Sequence, residues 1–255
     1  MSATEAQLCE IFSSFQGEGP YIGEKQIFIR FAGCNLSCQF CDSPQALTAA
    51  PSYKVISESV LTEKNPATVE KLIGHASSFL KAKHLCHSIS LTGGEPLLQV
   101  DFLKRFIPEL KAAGENTYSR LLPIYLETNG VLPKHLEEII DLVDIVSLDF
   151  KLPSSTGLSP YWIEHKLCLE VAYAKEVFVK MVVTKETKAV EIDQAASIIS
   201  AIDPEIQTII QPVTPAGPIK HRPNLQEING FFAVAKRKLK RVRVIPQMHK
   251  LLGLP

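Results

Sequence analysis

The sequence predicts an α/β fold in which parallel strands are joined by crossover helices, as an open sheet or a barrel. Three observations predict it. Short β-branched or aromatic runs alternate with longer segments whose apolar residues recur at helical spacing. Breakers fall between many of these runs: Gly93-Gly94, Gly114, Asn129-Gly130, Pro153, and Pro212 with Pro215. The alternation continues without an internal repeat, a low-complexity tract or a long linker, so residues 1–255 read as one domain.

Taken in order, the first strand of the alternating pattern is Gln26–Phe31, which runs into the cysteine-rich stretch Ala32–Ser43. Leu47–Asn65 carries the least pattern and is expected to form an excursion after that stretch. Thr68–Lys83 has helical spacing, then Ser88–Leu91 reads as a strand ending at Gly93-Gly94. The pattern repeats as helix Leu98–Ala113 and strand Ile124–Glu127, then helix Lys134–Leu142 and strand Ile145–Leu148. It continues as helix Tyr161–Lys175, strand Val177–Val183, helix Ile192–Ala201, strand Thr208–Gln211, helix Leu225–Leu239 and strand Val242–Ile245. Chemically distinctive residues follow the predicted strands, at Ala32–Ser43, Thr92–Pro96, Thr128–Gly130, Asp149–Lys151 and Gln211–Thr214. In sheets and barrels of this kind ligands bind at the carboxyl ends of the strands, so an active site is expected there.

Composition narrows the function. At 45% hydrophobic and 21% charged residues, the chain is neither disordered, nor collagen-like, nor a coiled coil. No apolar run approaches the roughly 18 residues needed to span a bilayer. The first basic residue is Lys25, so the start reads as neither a secretory signal nor an organellar leader, and a cytoplasmic location is expected. The balance of 27 Lys and Arg against 27 Asp and Glu argues against a broad nucleic-acid or membrane surface.

Six cysteines are too few for a disulfide scaffold in a chain of 255 residues. Cys34, Cys38 and Cys41 fall close together as Cys-x3-Cys-x2-Cys, whereas Cys9, Cys86 and Cys168 stand apart and read as structural. Three thiolates on a flexible loop can grip three corners of an iron–sulfur cubane and leave one iron open. The spacing alone also admits a zinc loop or plain burial, although no fourth ligand follows at finger-like distance. His84-Leu85-Cys86-His87 precedes a strand and has no partner motif, so it reads as structural.

The trio, with Phe40 before its last cysteine, resembles the signature of the radical S-adenosylmethionine superfamily. Ser90-Leu91-Thr92-Gly93-Gly94-Glu95-Pro96 is similar to that superfamily's second motif. Within it the chain resembles the 7-carboxy-7-deazaguanine synthase family. The opening Phe15-Gln16-Gly17-Glu18-Gly19-Pro20 carries the likeness, with Gly23 and Arg30-Phe31-Ala32-Gly33-Cys34. Glu127-Thr128-Asn129-Gly130, Ser147–Lys151, Gln211-Pro212 and the tail Pro246–Pro255 add to it. The resemblance implies a partial (β/α)6-type barrel with parallel strands and the cluster loop after the first barrel strand. It implies a [4Fe–4S] cluster on Cys34, Cys38 and Cys41, with S-adenosylmethionine as cofactor. The implied reaction turns 6-carboxy-5,6,7,8-tetrahydropterin into 7-carboxy-7-deazaguanine, with loss of ammonia.

Residue roles follow from the same resemblance. Phe40, Cys41, Asp42, Gly94, Ser147, Lys151, Gln211, Pro212, Val213 and Thr214 are expected to bind S-adenosylmethionine. Ser147–Lys151 departs from the family's shorter form, which leaves open whether Ser147, Asp149 or Lys151 makes the contact. Phe15, Gln16, Gly17, Glu18, Arg30, Thr92, His249 and Pro255 are expected to bind the pterin, with the Arg30 fork suited to its carboxylate. Ser43 is the expected Mg2+ ligand, a hard oxygen. A flavodoxin or ferredoxin is implied as electron donor; the basic run Lys236–Arg241 reads first as a solvated helix end and second as a surface to which such an acidic partner can be drawn. A homodimer is implied, and no nucleic-acid or membrane partner is. Two rivals are a glycyl-radical activase of the same superfamily and a non-catalytic iron–sulfur or zinc protein.

Overall fold

The computed structural model describes residues 4–80, 85–117 and 122–254. In chain order it forms β1 (Glu5–Ala6), β2 (Leu8–Phe15), β3 (Lys25–Phe31), β4 (Ser52–Ile56), β5 (Val60–Lys64), β6 (Ala67–Thr68) and α1 (Val69–Leu80). Then follow β7 (Ser88–Gly93), α2 (Val100–Thr117), β8 (Ile124–Thr128), α3 (Pro133–Ile139), β9 (Ile145–Asp149), α4 (Pro153–Thr156) and α5 (Trp162–Ala172). The chain ends with β10 (Glu176–Val183), α6 (Ala189–Ile202), β11 (Gln207–Pro212), α7 (Leu225–Lys236), β12 (Val242–Val244) and α8 (Met248–Leu252).

The main sheet has ten strands in the order β12-β11-β10-β9-β8-β7-β3-β2-β4-β5. From β3 to β12 every pairing is parallel, and each new strand adds to the same side of the last. Such single winding keeps the crossover helices on one face, because right-handed crossovers return the chain on that face each time. The strand set from β3 to β11 supplies the expected six-strand partial barrel, and β12 extends it. Barrel closure is absent among the described residues: β12 pairs only with β11, and β2 lies between β3 and β4.

Strand alternation divides the side chains between two faces. Ile27, Ile29, Leu91, Leu126, Val146 and Met181 enter the principal apolar core with the helices. Phe102 stacks on Phe106 in that core, with ring centroids 5.5 Å apart. The opposite face carries a smaller cluster of Tyr125, Ile145, Phe178, Ile209 and Ile245, packed by Tyr21 and Ile22. Tyr21 belongs to the loop between β2 and β3, so that loop runs across the open face to strands on the far side. At Gly19, with φ of +68°, a Cβ would lie 2.8 Å from the Phe178 ring; this close approach is why the loop needs glycine there.

The predicted parallel strands all form within a residue or two of expectation. Differences arise elsewhere. Leu47–Asn65, the expected excursion, contains an antiparallel hairpin, β4–β5, that joins the sheet through β2. Gly114 lies inside α2 rather than ending it. Helix α1 is described to Leu80, and the expected remainder of Thr68–Lys83 beyond it, like His84, lies outside the described residues. Helix α7 begins with a capping box in which Asn224 Oδ1 accepts from the Glu227 amide at 2.9 Å and Glu227 Oε2 accepts from the Asn224 amide at 2.7 Å. No helix among the described residues is long and apolar enough to cross a membrane.

Candidate active site

The loop after β3 begins at Gly33 and is held by backbone contacts to the loop after β7. Gly94 N donates to Phe31 O at 3.0 Å and Glu95 N to Gly33 O at 2.8 Å. A Cβ on Gly93 would sit 2.2 Å from Phe31 O, and one on Gly94 2.0 Å from Gly33 O. The Gly-Gly pair is therefore required by its approach to the cysteine loop, which excludes any side chain at either position. Glu95 is fully buried and accepts from Leu97 N at 3.1 Å, Asn129 N at 2.7 Å and Thr128 Oγ1 at 2.9 Å. Burial outweighs these donors and pushes its carboxyl up to about 7. One residue thus ties the loops after β7 and β8 together beside the cysteines.

A cavity of about 390 Å3 opens at this end of the sheet, within the range that holds a small organic ligand. Its wall brings together Cys34, Cys38 and Cys41 with Phe15, Gln16, Gly17, Glu18, Arg30, Phe40, Asp42, Ser43, Thr92, Gly94, Lys151 and His249. Ser147 is buried, and neither it nor Gln211, Pro212, Val213 and Thr214 is on the wall. Two of them join the site indirectly: Gln211 Nε2 donates to Glu18 Oε1 at 2.9 Å, and Thr214 N donates to Gln247 Oε1 at 3.0 Å. Pro255 lies outside the described residues.

All six cysteines are free. Burial raises the three loop thiols, and the Lys151 ammonium pulls each back toward the thiolate that metal binding requires. Burial also works against the Lys151 charge, but Asp149 and Cys38 outweigh it and the pKa rises. Lys151 Nζ sits 2.8 Å from Asp149 Oδ2 and 5.4 Å from the Phe40 ring centroid. Cys168 is buried and pushed up to about 12, as a structural thiol should be.

Several wall residues had no role assigned from the sequence. Glu127 Oε2 accepts from Thr92 Oγ1 at 2.7 Å, and its Oε1 accepts from Gln16 Nε2 at 3.0 Å. Lys180 forms ion pairs with Glu18 and with Asp149, the latter at 3.7 Å. Glu10 pairs with Arg30 Nε at 2.8 Å, while Arg30 Nη1 donates to Ser43 Oγ at 3.2 Å. These charges sit in a largely parallel sheet, whose strands are normally apolar on both faces. A Lys within Val177–Val183, or an acid ending Ile124–Glu127, was the available signal.

The tail closes the cavity from the other side. Gln247 Nε2 donates to Glu18 Oε1 at 2.9 Å and to Asp42 Oδ2 at 3.2 Å. His249 Nε2 lies 3.4 Å from Asp42 Oδ2, and Lys250 Nζ 3.8 Å. Despite burial, the His249 hydrogen bond and the Lys250 and Lys180 charges hold the Asp42 carboxyl well below the usual range. Glu18, Asp42 and His249 approach within 4.8 Å of one another, as metal ligands do. The chain's own cations already balance them. The basic run Lys236–Arg241 is differently placed: Lys238 pairs with Asp193 at 2.6 Å and Lys240 with Glu205 at 2.8 Å, away from the cavity.

Residues 28–167 match the model of the radical SAM superfamily. Over 99% of its length the chain is 40% identical to a 7-carboxy-7-deazaguanine synthase of Geobacter sulfurreducens, 99% of which is covered.

The chain belongs to the 7-carboxy-7-deazaguanine synthase family.

A family member of Methanothermobacter thermautotrophicus is 34% identical over the full length of both chains. Among solved structures, the crystal structure of QueE from Escherichia coli matches with a TM-score of 0.55 over 94% of this chain and 93% of that one. At 16% identity it bears on the fold alone. The superfamily's [4Fe–4S] cluster and S-adenosylmethionine fit what this cavity offers. Three free thiols face it, and Asp149 Oδ1 is buried without a partner among the described residues. An unpaired buried acceptor calls for a donor, and the ammonium and ribose hydroxyls of S-adenosylmethionine are donors.

Proposed function

We propose that the chain is a radical SAM carbon–nitrogen lyase that converts 6-carboxy-5,6,7,8-tetrahydropterin to 7-carboxy-7-deazaguanine and ammonia, in 7-deazapurine (queuosine) biosynthesis. The observation that carries this reading is one cavity joining the three free thiols to Arg30, Thr92 and Glu127, in a chain that matches the family end to end. Cys34, Cys38 and Cys41 would hold the cluster, and Phe40, Asp42, Gly94 and Lys151 would hold S-adenosylmethionine. When bound, these groups supply the one-electron cleavage that creates a hydrogen-abstracting radical.

The chain's residues do the positioning. Arg30, held by Glu10 and stacked 5.5 Å from the Phe12 ring, presents a fixed guanidinium to the substrate carboxylate. Glu127, oriented by Thr92 and Gln16, accepts from the amino and amide N–H groups of the pterin edge. Phe15 is half-exposed at the mouth and covers the ring. Ser43 Oγ, next to Arg30, is the oxygen we assign to Mg2+ beside that carboxylate. The β2–β3 loop and the tail exclude water from the radical chemistry. Such a lid suits a small molecule; an activase would need an open groove for a protein segment. We read residues 1–255 as one domain, acting as a cytoplasmic homodimer reduced by a flavodoxin or ferredoxin.

Anaerobic reconstitution tests the assignment of the thiols. The wild-type protein is expected to bind about four iron and four sulfide, and Cys38→Ala to lose the cluster and all S-adenosylmethionine cleavage. Full iron loading in Cys38→Ala would overturn it. Arg30→Lys is expected to raise the pterin KM by on the order of tenfold while leaving cluster absorbance unchanged.

A further inference from the structure

The structure exposes a group of cations beside the cysteine loop that the zero net charge of the sequence conceals. We propose that the cationic rim formed by Lys185, Lys188, Lys220 and Arg222 beside the cysteine loop is the docking surface for an acidic one-electron carrier protein. The proposal rests on the functional reading above, and it locates the reductant that this reading requires.

The four residues lie in the loops after β10 and β11, at the same end of the parallel sheet as the cysteine loop after β3. All four are exposed, and none forms an ion pair among the described residues. Lys220 Nζ is bonded only to its own loop, at Gly217 O, 2.6 Å. A short chain of contacts ties the first loop to the cysteines. Gln39 N donates to Thr156 O at 3.0 Å, Ser155 Oγ meets Thr187 Oγ1 at 2.8 Å, and Lys188 N donates to Ser154 Oγ at 3.3 Å. The second loop is tied through Gln247, which bonds both Thr214 and Asp42.

Few acids oppose these cations. Segment 213–224 has none. In the loops after β3, β7 and β10, Glu95 is fully buried and Asp42 is engaged by the tail, which leaves Glu186 exposed. On α8, whose Lys250 lines the cavity, Leu251 and Leu252 are 66% and 63% exposed. An apolar spot bordered by charge is the anatomy of a small, transient interface, and redox encounters bury little area. Asn35, Ser37 and Gln39 of the cysteine loop are exposed as well.

The opposite end of the sheet also carries exposed cations, among them Lys236, Arg237 and Arg241, but none of these lines the cavity that holds the three thiols. There Lys240 pairs with Glu205 at 2.8 Å, Tyr173 donates to Asp203 at 2.9 Å, and Lys111 lies 3.8 Å from Asp144. An unpaired cationic rim attracts an acidic partner over long range, and one beside the thiols brings the carrier to the centre that takes the electron. In the encounter the reduced carrier loses one electron and the centre held by the three thiols gains it; no atom is transferred.

The test uses reconstituted holoenzyme and an acidic flavodoxin as probe. Affinity for oxidised flavodoxin is measured by titration at low and physiological ionic strength, together with turnover driven by dithionite. The pairs Lys185→Glu/Lys188→Glu and Lys220→Glu/Arg222→Glu are each expected to weaken binding by on the order of tenfold at low salt. Added salt is expected to shrink the difference. Lys236→Glu/Arg237→Glu, in the basic run elsewhere, is expected to bind as wild type. Dithionite-driven turnover should be equal in all. Rim variants that bind like wild type, or a control that loses as much, overturn the proposal. Wild-type enzyme that makes no product with dithionite overturns the functional reading instead, whatever the binding result.

Discussion

His165 on α5 shows how a single side chain fixes two loops of the site. Its Nε2 accepts from Lys151 N at 2.9 Å, so the ring proton must be on Nδ1, which donates to Gly130 O at 2.9 Å. The ring stacks on Phe150 with centroids 4.7 Å apart, and burial lowers its pKa to about 4. A histidine depressed on folding contributes stability above its unfolded pKa of 6.5 that is lost as pH falls toward about 4. Glu95 acts with the opposite sign: its carboxyl is raised from 4.5 to about 7, so its contribution is lost as pH rises through that interval. In the wild type the two slopes oppose each other. Denaturant unfolding across this range should therefore separate them. Glu95→Gln is expected to gain stability with rising pH, and His165→Gln, which keeps an acceptor for Lys151 N, to lose it. Each change should total a few kcal/mol across the range, at about 1.4 kcal/mol for every tenfold change in proton concentration. Identical pH profiles in the two variants would refute this assignment of protons.

Among the elements, α8 and the β2–β3 loop depend on each other. Met248 N donates to Gly17 O at 2.9 Å, and a Cβ on Gly17 would lie 2.3 Å from the His249 ring. Gly17→Ala must push the tail away. The expected result is a pterin KM raised by on the order of tenfold, against a much smaller change in S-adenosylmethionine cleavage without substrate. An unchanged KM would show that the tail does not close the site. Gly230 in α7 provides the contrast, since nothing lies within 4 Å of its added Cβ. Gly230→Ala should stabilise the protein by about 0.5–1 kcal/mol in thermal or denaturant unfolding. The parallel strands were legible because each is a short apolar run between helical stretches. Strand β2 was not, for two reasons: Glu10 and Ser14 face the cavity side of the sheet, and a register shift between Leu8 and Glu10 breaks its alternation. Hairpin β4–β5 escaped notice because β5 is mostly exposed and offers no buried face to read.

Across the whole molecule, the cysteine loop, the Gly-Gly-Glu-Pro turn, Arg30 and the opening around Gln16 could be read as local motifs. Glu127 and Lys180 could not be assigned roles that way, and Asp149 stood only as one of three candidate contacts, because their meaning depends on which strands neighbour one another. Asp149 stands opposite Lys180 in the register of β9 and β10, while the Thr92 side chain of β7 reaches Glu127 of β8. Nor does the count of 27 against 27 reveal that Lys185, Lys188, Lys220 and Arg222 lie at the cysteine end of the sheet. The central claim is that this cavity contracts a carboxylated pterin ring. Its most direct test incubates the reconstituted enzyme with 6-carboxy-5,6,7,8-tetrahydropterin, S-adenosylmethionine, Mg2+ and dithionite, and follows the products by mass. The account predicts 7-carboxy-7-deazaguanine, with ammonia released in equal amount. Cleavage of S-adenosylmethionine that leaves the pterin unchanged would contradict it.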